Sequence, residues 1–364
     1  MFEKIAGQES AKNILESMIT SGNIPHALLF AGPYGVGKGE TAIDLAARLL
    51  CEHGPESGCT ECNACYRASK LEHPDLHVLF PFKAPPQSVE RRSSWADELF
   101  GHRKLLSGEP YAPYIYEKGQ QITKDLVNEV RERLLESSFE GGRRVCIIFN
   151  ADKLNATTSN LLLKILEEPP AGVHFIMTTE RISSVLPTMI SRSSVIRFRR
   201  LHDEEIETHL ANYGELEQEK IVSYARSAGG SIKTAKALAF ENKGEMLRRS
   251  YDLYGSVANG GQEDAVSNAL LFARSRDVSE AEELISGFAL CTKSVLEKKL
   301  GIGQETKDIS ETSELVQMLS GNTDIGSLNS LSVKLEDGLE MLGRNVNIST
   351  VMTTIFYGIN DTYR

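Results

Sequence analysis

The sequence predicts an α/β fold: a P-loop domain on a parallel sheet, then a small helical domain, then an all-α C-terminal domain. Three observations predict it. Short apolar runs at 26–31, 76–80, 144–149, 173–178 and 195–198 alternate with segments of helical periodicity, as in successive β-α units. The first run turns through glycines directly into a helix, in the stretch GPYGVGKGET from Gly32 to Thr41. Beyond Arg200 the pattern is helical only.

The chain opens with Phe2, Ile5, Gly7 and Gln8, then a helix from about Glu9 to Thr20 with Ala11, Ile14, Leu15, Met18 and Ile19 on one face. Asn23-Ile-Pro25 breaks it before the first strand. In the glycine stretch, Gly32, Gly35 and Gly37 let backbone N–H groups converge, and the following helix adds partial positive charge at its N-terminus. Lys38 stands where an ammonium reaches the outer phosphates of a nucleotide. The match to GxxxxGK[ST] fails only at its last place, where Gly39 replaces the hydroxyl that would hold Mg²⁺. A glycine turn with a chance lysine is the bland alternative, and the strand and helix on either side argue against it.

The P-loop helix ends near Leu50, and the composition changes. Cys51, Cys59, Cys62 and Cys65 form C-x7-C-x2-C-x2-C, a spacing that can surround one tetrahedral Zn²⁺. Disulfides and an iron–sulfur cluster are the alternatives. A reducing compartment and the lack of nearby redox features favour a structural zinc with no open coordination position. His53 and His73 are near enough to compete as ligands, but with four cysteines they are better read as loop histidines. Cys146 and Cys291 sit among apolar residues and are expected in the core.

After the second strand, about residues 81–120 lose periodicity and carry Pro-Pro, Ser-Ser and the only Trp, Trp95. This reads as an insertion, with Arg91, Arg92, Arg103 and Lys104 able to touch DNA or a partner or simply to face solvent. A helix follows from Thr123, a candidate N-cap, to about Ser137, with Leu126, Val130, Leu134 and Leu135 inward. The third strand ends in Phe149-Asn150, where an active P-loop ATPase would carry Asp-Glu for the metal and the attacking water. Asn150 is no base, and Asp152 comes two residues late. With Gly39, these are separate defects in one reaction, so nucleotide binding could survive while hydrolysis should not. The helix Thr157–Pro170 stops at its prolines. The next strand ends in Thr178-Thr179-Glu180, where a polar tip can sense phosphate.

Gly7-Gln8, the P-loop, the cysteine module behind its helix, Asn160–Pro169 (NLLLKILEEP), Thr178-Thr179 and Ser191-Arg192 follow one another in a particular order. That order resembles the subunits of the bacterial DNA polymerase III clamp loader, which are AAA+ proteins, over about residues 1–240. Within this family the chain looks like the delta prime branch rather than the gamma/tau ATPases, which are expected to keep the P-loop hydroxyl and the Asp-Glu pair. The resemblance implies an AAA+ P-loop domain over 1–200 with a zinc module at 51–65, a helical lid over 201–243, and a collar over 244–364 that forms a ring. It implies gamma/tau and delta subunits, the sliding clamp and primed DNA as partners. Arg192, in Ser191-Arg192-Ser193 where the family has Ser-Arg-Cys, would stabilise the γ-phosphate of a neighbour in trans. Gly229–Lys233 resembles the sensor-2 segment, which would turn Lys233 toward nucleotide.

The remaining chain reads as helices at 203–213, 215–228, 231–241 and several beyond 245, including a long amphipathic one near 324–342. Asn345-Val-Asn347 supports the resemblance there. At 364 residues, two or three domains are expected, and 41% hydrophobic with 25% charged residues is ordinary for a globular protein. A net charge of −10 argues against gripping nucleic acid alone over a broad basic face, though not against a DNA-handling role shared with basic partners. No apolar run suits a membrane span, and the N-terminus MFEKIAGQES has no signal-peptide core, so the expected location is cytoplasmic. The competing reading is an active AAA+ ATPase, gamma/tau-like or a remodelling motor, using Lys38 and a displaced acid such as Asp152. Gly39 and Phe149-Asn150 count against it.

Overall fold

In the computed structural model of the chain, residues 2–57, 59, 61–86, 88–108, 111, 120–140, 142–214, 216–240, 243–260, 278–301, 310–343 and 346–363 are described. The chain divides into two compact units, Met1–Tyr213 with Ala228–Lys236, and Gly214–Ser227 with Ala237–Arg364.

The first unit carries the expected α/β fold on a parallel sheet. Its strands are β1 (Ala27–Ala31), β2 (Leu76–Leu79), β3 (Arg144–Ile148), β4 (Val173–Thr179) and β5 (Ser194–Arg197). They form one sheet in the order β2-β3-β4-β1-β5, with every neighbouring pair parallel. Strands β1 and β3 are buried at every position, which is why they read as continuous apolar runs rather than alternating ones. Because the strands run parallel, their C-terminal tips share one edge, and the loops after β1, β3 and β4 meet there. Sites in open α/β sheets lie at such an edge.

Helix α1 (Glu9–Thr20) buries Ala11, Leu15 and Ile19, whereas Ile14, expected inward, is 45% exposed. Helix α2 (Lys38–Leu49) starts at the P-loop lysine and packs Ala42, Leu45, Ala46 and Leu49 into the core. Helix α3 (Asn63–Ser69) closes the cysteine module. The segment 81–120, expected to lack regular structure, contains an 18-residue helix, α4 (Val89–Leu106). Trp95, Leu99 and Leu106 pack against the main core, while Trp95 Nε1 donates to the Lys83 carbonyl at 2.9 Å. Arg103, considered for DNA contact, donates instead to the Leu76 carbonyl of edge strand β2 at 3.3 Å. Of the same segment, residues 87, 109–110 and 112–119, and the side chain of Arg91, lie outside the described residues.

Helix α5 (Lys124–Leu135) has Thr123 at its N-cap position with no side-chain cap bond, and Leu126, Val127, Val130 and Leu134 inside. Leu135, expected inward, is 63% exposed because the helix ends there. Helix α6 (Ala156–Glu167) is capped by Asn155, whose side chain accepts from Thr158 N–H at 2.9 Å, and it stops ahead of Pro169. A short helix, α7 (Pro187–Ile190), precedes β5, and α8 (Asp203–Ala211) opens with three acidic residues that complement its dipole.

Helices α9 (Gln218–Ser227) and α10 (Ile232–Phe240) follow, then α11 (Lys243–Asn259), α12 (Val278–Leu300), α13 (Ser310–Gly321), α14 (Ile325–Gly343) and α15 (Ile348–Thr362). The second unit has its own core around Tyr254, Leu284, Phe288, Leu335, Met352 and Phe356. Inside it, Tyr254 Oη meets Thr292 Oγ1 and Tyr363 Oη at 3.0 Å each, so the buried hydroxyls satisfy one another. Asn347 caps α15 through Ser349 N–H at 2.9 Å, and Asn345 lies outside the described residues. As expected, Cys146 and Cys291 are fully buried core residues. Among the described residues, no helix is long and apolar enough to cross a membrane.

Candidate functional site

The P-loop leaves β1 at Gly32, whose N–H donates to the Thr179 carbonyl at 3.2 Å. A Cβ on Gly32 would fall 2.3 Å from the Phe198 carbonyl oxygen, so the loop can pass there only as glycine. Gly35 and Gly37 take φ of 71° and 102°, the left-handed turns that curl the backbone into α2. Gln8 braces this loop from outside. Its Nε2 donates to the carbonyls of Val36 and Arg199 at 3.2 and 2.7 Å, and its Oε1 accepts from Arg199 N–H at 3.1 Å.

Lys38 is 7% exposed and folds back on the loop, donating to the Gly32 carbonyl at 2.7 Å and to the Pro33 carbonyl. Burial pushes its ammonium down to about 8, against the opposing pull of Glu180 and Glu40. Lys233 forms an ion pair with Glu40 of α2 at 3.1 Å. Burial acts to raise Glu40, but Lys233 and hydrogen bonds hold it below the usual carboxylate range. The segment carrying Lys233 is fixed to the loop by Ile232 N–H on the Gly35 carbonyl at 3.0 Å. Lys38, Gly39, Thr178, Glu180 and Lys233 line one cavity of about 350 Å³.

Beside Gly39 this cavity is lined by aromatic carbon. A Cβ on Gly39 would lie 3.3 Å from the ring of Phe149, which is itself 5% exposed, so phenyl carbon fills the space around the missing hydroxyl. Asn150 has φ of 54°; its N–H donates to Thr178 Oγ1 at 3.0 Å and its Nδ2 to Glu180 at 3.4 Å. Asp152, the candidate displaced acid, accepts from Thr179 Oγ1 at 2.9 Å and from Glu180 N–H at 3.3 Å. Its carboxylate caps the tip of β4.

The four cysteines come together beside α2 and α3, with all Sγ atoms within 4.8 Å of one another and Cys51 3.9 Å from Cys62. A tetrahedron of sulfurs ~2.3 Å from zinc has edges of about 3.8 Å, so the set fits one ion. Cys62 N-caps α3, accepting from Cys65 N–H at 3.4 Å, and Cys59 accepts from Cys62 N–H at 3.3 Å. Burial acts to raise Cys62, but backbone N–H groups at Cys65 and Glu52 bring it down to about 6. Cys65 is pushed up by burial and by the neighbouring sulfurs, the crowding that a bound cation relieves. His73 is committed elsewhere, 3.1 Å from Glu140, with its Nδ1 accepting from Asp75 N–H. His53 stays exposed, and the Cys59 and Cys62 side chains beside it hold its imidazole above the usual range.

Arg192 follows α7 on the approach to β5, an edge of the sheet. Its guanidinium pairs with Glu167 at 2.7 Å and donates to the Thr188 carbonyl at 3.0 Å, with the side chain 35% exposed. Nearby arginines are also engaged, Arg199 with Glu205 at 2.6 Å and Arg200 with the Gly229 carbonyl at 2.6 Å.

A family model described as DNA polymerase III, delta subunit, matches residues 7–202, more than half of the chain. The chain belongs to that family. Relatives place it with the delta prime type. DNA polymerase III subunit delta′ of Bacillus subtilis is 28% identical over 203 residues, 56% of this chain and 51% of that protein. The Haemophilus influenzae subunit delta′ is 22% identical over 335 residues, 87% of this chain and 90% of that protein. The gamma/tau subunit of Mycobacterium tuberculosis H37Rv is 29% identical over 222 residues, which cover 61% of this chain and 32% of that longer protein.

In this delta prime-type chain the structure brings Gly35, Gly37, Lys38, Gly39, Thr178 and Lys233 to one cavity, with Gly32 at its root, and the four cysteines to another place. Reading the sequence alone missed three residues. Glu180 follows Thr179 directly, so its place at the strand tip was in view, but its field on Lys38 was not. Gln8 was noticed as part of a motif without its bracing role. Tyr111, fully buried against the P-loop, had no signal in its surroundings.

Proposed function

We propose that this chain is a non-hydrolysing subunit of the DNA polymerase III clamp loader, working in the cytoplasm. It sits in a ring with gamma/tau and delta subunits, helps place the sliding clamp on primed DNA, and supplies Arg192 in trans to a neighbouring ATPase. Residues 1–200 serve as the AAA+ domain, 201–243 as the lid and 244–364 as the collar. The single observation that carries the non-hydrolysing reading is the packing of Phe149 on Gly39. It puts apolar surface where a hydroxyl and a carboxylate would hold Mg²⁺, and phosphoryl transfer depends on that metal for charge neutralisation. The loop, Lys38 and Lys233 keep the chemistry to hold the phosphates of ATP. Arg192 suits a role in trans because a guanidinium has five donors, so those facing Glu167 and Thr188 leave others for a phosphate. Zinc in the four-cysteine site would hold the module between α2 and β2, with no catalytic part.

The direct test is steady-state ATP hydrolysis by the purified chain. Turnover should be indistinguishable from a Lys38→Ala control. Turnover within the usual enzyme range of ~1–1,000 s⁻¹ that disappears in Lys38→Ala would show an active motor instead.

A further inference from the structure

Tyr111 belongs to the 81–120 segment, yet it sits on the P-loop and is completely buried. Its Oη accepts from Ala6 N–H at 2.9 Å and lies 3.0 Å from where Gly37 would carry a Cβ. Its ring meets His209 of α8 edge-on, centroids 4.9 Å apart, and Tyr213 flanks the same imidazole at 5.8 Å. Its φ of 60° is in the left-handed region, a strain for a bulky residue that the surrounding contacts must offset. Its carboxylate neighbour Glu40 belongs to the first turn of α2. The N-terminal segment, the P-loop and α8 thus enclose one aromatic side chain directly beside the phosphate-binding backbone.

Without the phenol, this slot would present a backbone N–H donor at Ala6 and an aromatic wall at His209, which Tyr213 backs, with the Ile5 side chain beside Gly37. It would open on Gly37, where a phosphate chain would begin. A heteroaromatic base with ring acceptors, attached to phosphates, needs that set of partners. We propose that Tyr111 occupies the nucleoside position of this chain's P-loop. The loop then holds phosphate groups while the base of a nucleoside di- or triphosphate finds its slot filled. The proposal rests on the reading that the loop keeps its phosphate-binding chemistry, and it adds what denies the chain a nucleotide's full affinity.

The test is calorimetric titration of the full chain with ADP and, separately, with inorganic pyrophosphate. The wild-type chain should bind the two with similar affinity, because the nucleoside gains no contact. Tyr111→Ala should leave pyrophosphate binding unchanged and bind ADP tighter by roughly 10-fold or more, the range that aromatic stacking of one base provides. Tyr111→Phe keeps the ring and should behave as wild type. A wild-type preference for ADP of roughly 10-fold or more would overturn the proposal without any variant. So would a Tyr111→Ala chain with a wild-type melting temperature and no gain for ADP. The pyrophosphate arm isolates the underlying reading: if pyrophosphate binds none of these proteins, the phosphate-binding P-loop fails and this proposal fails with it.

Discussion

Phe149 and Gly39, the two departures from the P-loop ATPase pattern, pack against each other. A serine at 39 would press its Cβ to 3.3 Å from the ring, while an aspartate at 149 would leave the glycine's side of the cavity empty. Both departures were legible in the sequence as motif failures. Their contact was not, because it joins the end of β3 to the start of α2. Lys38 was equally legible as a phosphate-binding lysine, but the sequence could not show it folded back on its own loop. That burial has a measurable sign. The folded chain lowers the Lys38 pKa to about 8 from an unfolded value near 10.5, so the charged form is disfavoured on folding. Its penalty is fully present below pH about 8 and fades as pH rises toward 10.5, because the unfolded chain binds more protons in that window. The stability difference between wild type and Lys38→Met, read from denaturant unfolding, should therefore shift between pH 8 and 10.5. The wild type should gain roughly 2–3 kcal/mol relative to the variant. A difference that stays constant, or reverses, would show that the lysine is not desolvated.

At the scale of elements, the five strands and most helices followed from apolar runs, helical spacing and breakers such as Pro169. Helix α4 did not. Its apolar residues fall on more than one face: Trp95, Leu99 and Leu106 touch the core, but Phe100 and Leu105 are 57% and 60% exposed. With no clean stripe and a proline pair just ahead, its polar sequence resembles a loop. The cysteine module was legible from spacing alone, since ligand geometry demands close pairs of thiols. Its connection to the domain was not: Arg67 of α3 pairs with Glu140 at 2.7 Å, and Glu140 also meets His73. The module should carry one zinc per chain by metal analysis. Cys62→Ser removes a ligand while its hydroxyl can still cap α3, so loss of the metal alone should lower the melting temperature. Treatment of wild type with a strong chelator should do the same. Metal-free purified protein, or a Cys62→Ser chain with unchanged melting and impaired clamp loading, would contradict a purely structural zinc.

For the whole molecule, the order of motifs across the first 240 residues carried the family, and the match over 7–202 agrees with it. The C-terminal helices were legible as helices but not as a particular assembly surface, because amphipathic spacing says that a helix packs without saying on what. Arg192 joins the residue to the assembly. In this chain it rests on Glu167 and Thr188, near the sheet edge formed by β5, and its proposed work lies in another subunit. An arginine finger that is the main charge stabiliser contributes ~10³–10⁵ in rate at its site, and in an assembly with several sites the observed loss should be smaller. The measurement that bears most directly on this account is DNA-stimulated ATP hydrolysis by the reconstituted clamp loader, comparing Arg192→Ala with Lys38→Ala in this chain after both are shown to assemble. Arg192→Ala should slow hydrolysis by the partner subunits, and Lys38→Ala should do much less. If Lys38→Ala proves the more damaging, the working ATP site lies in this chain and the account is wrong.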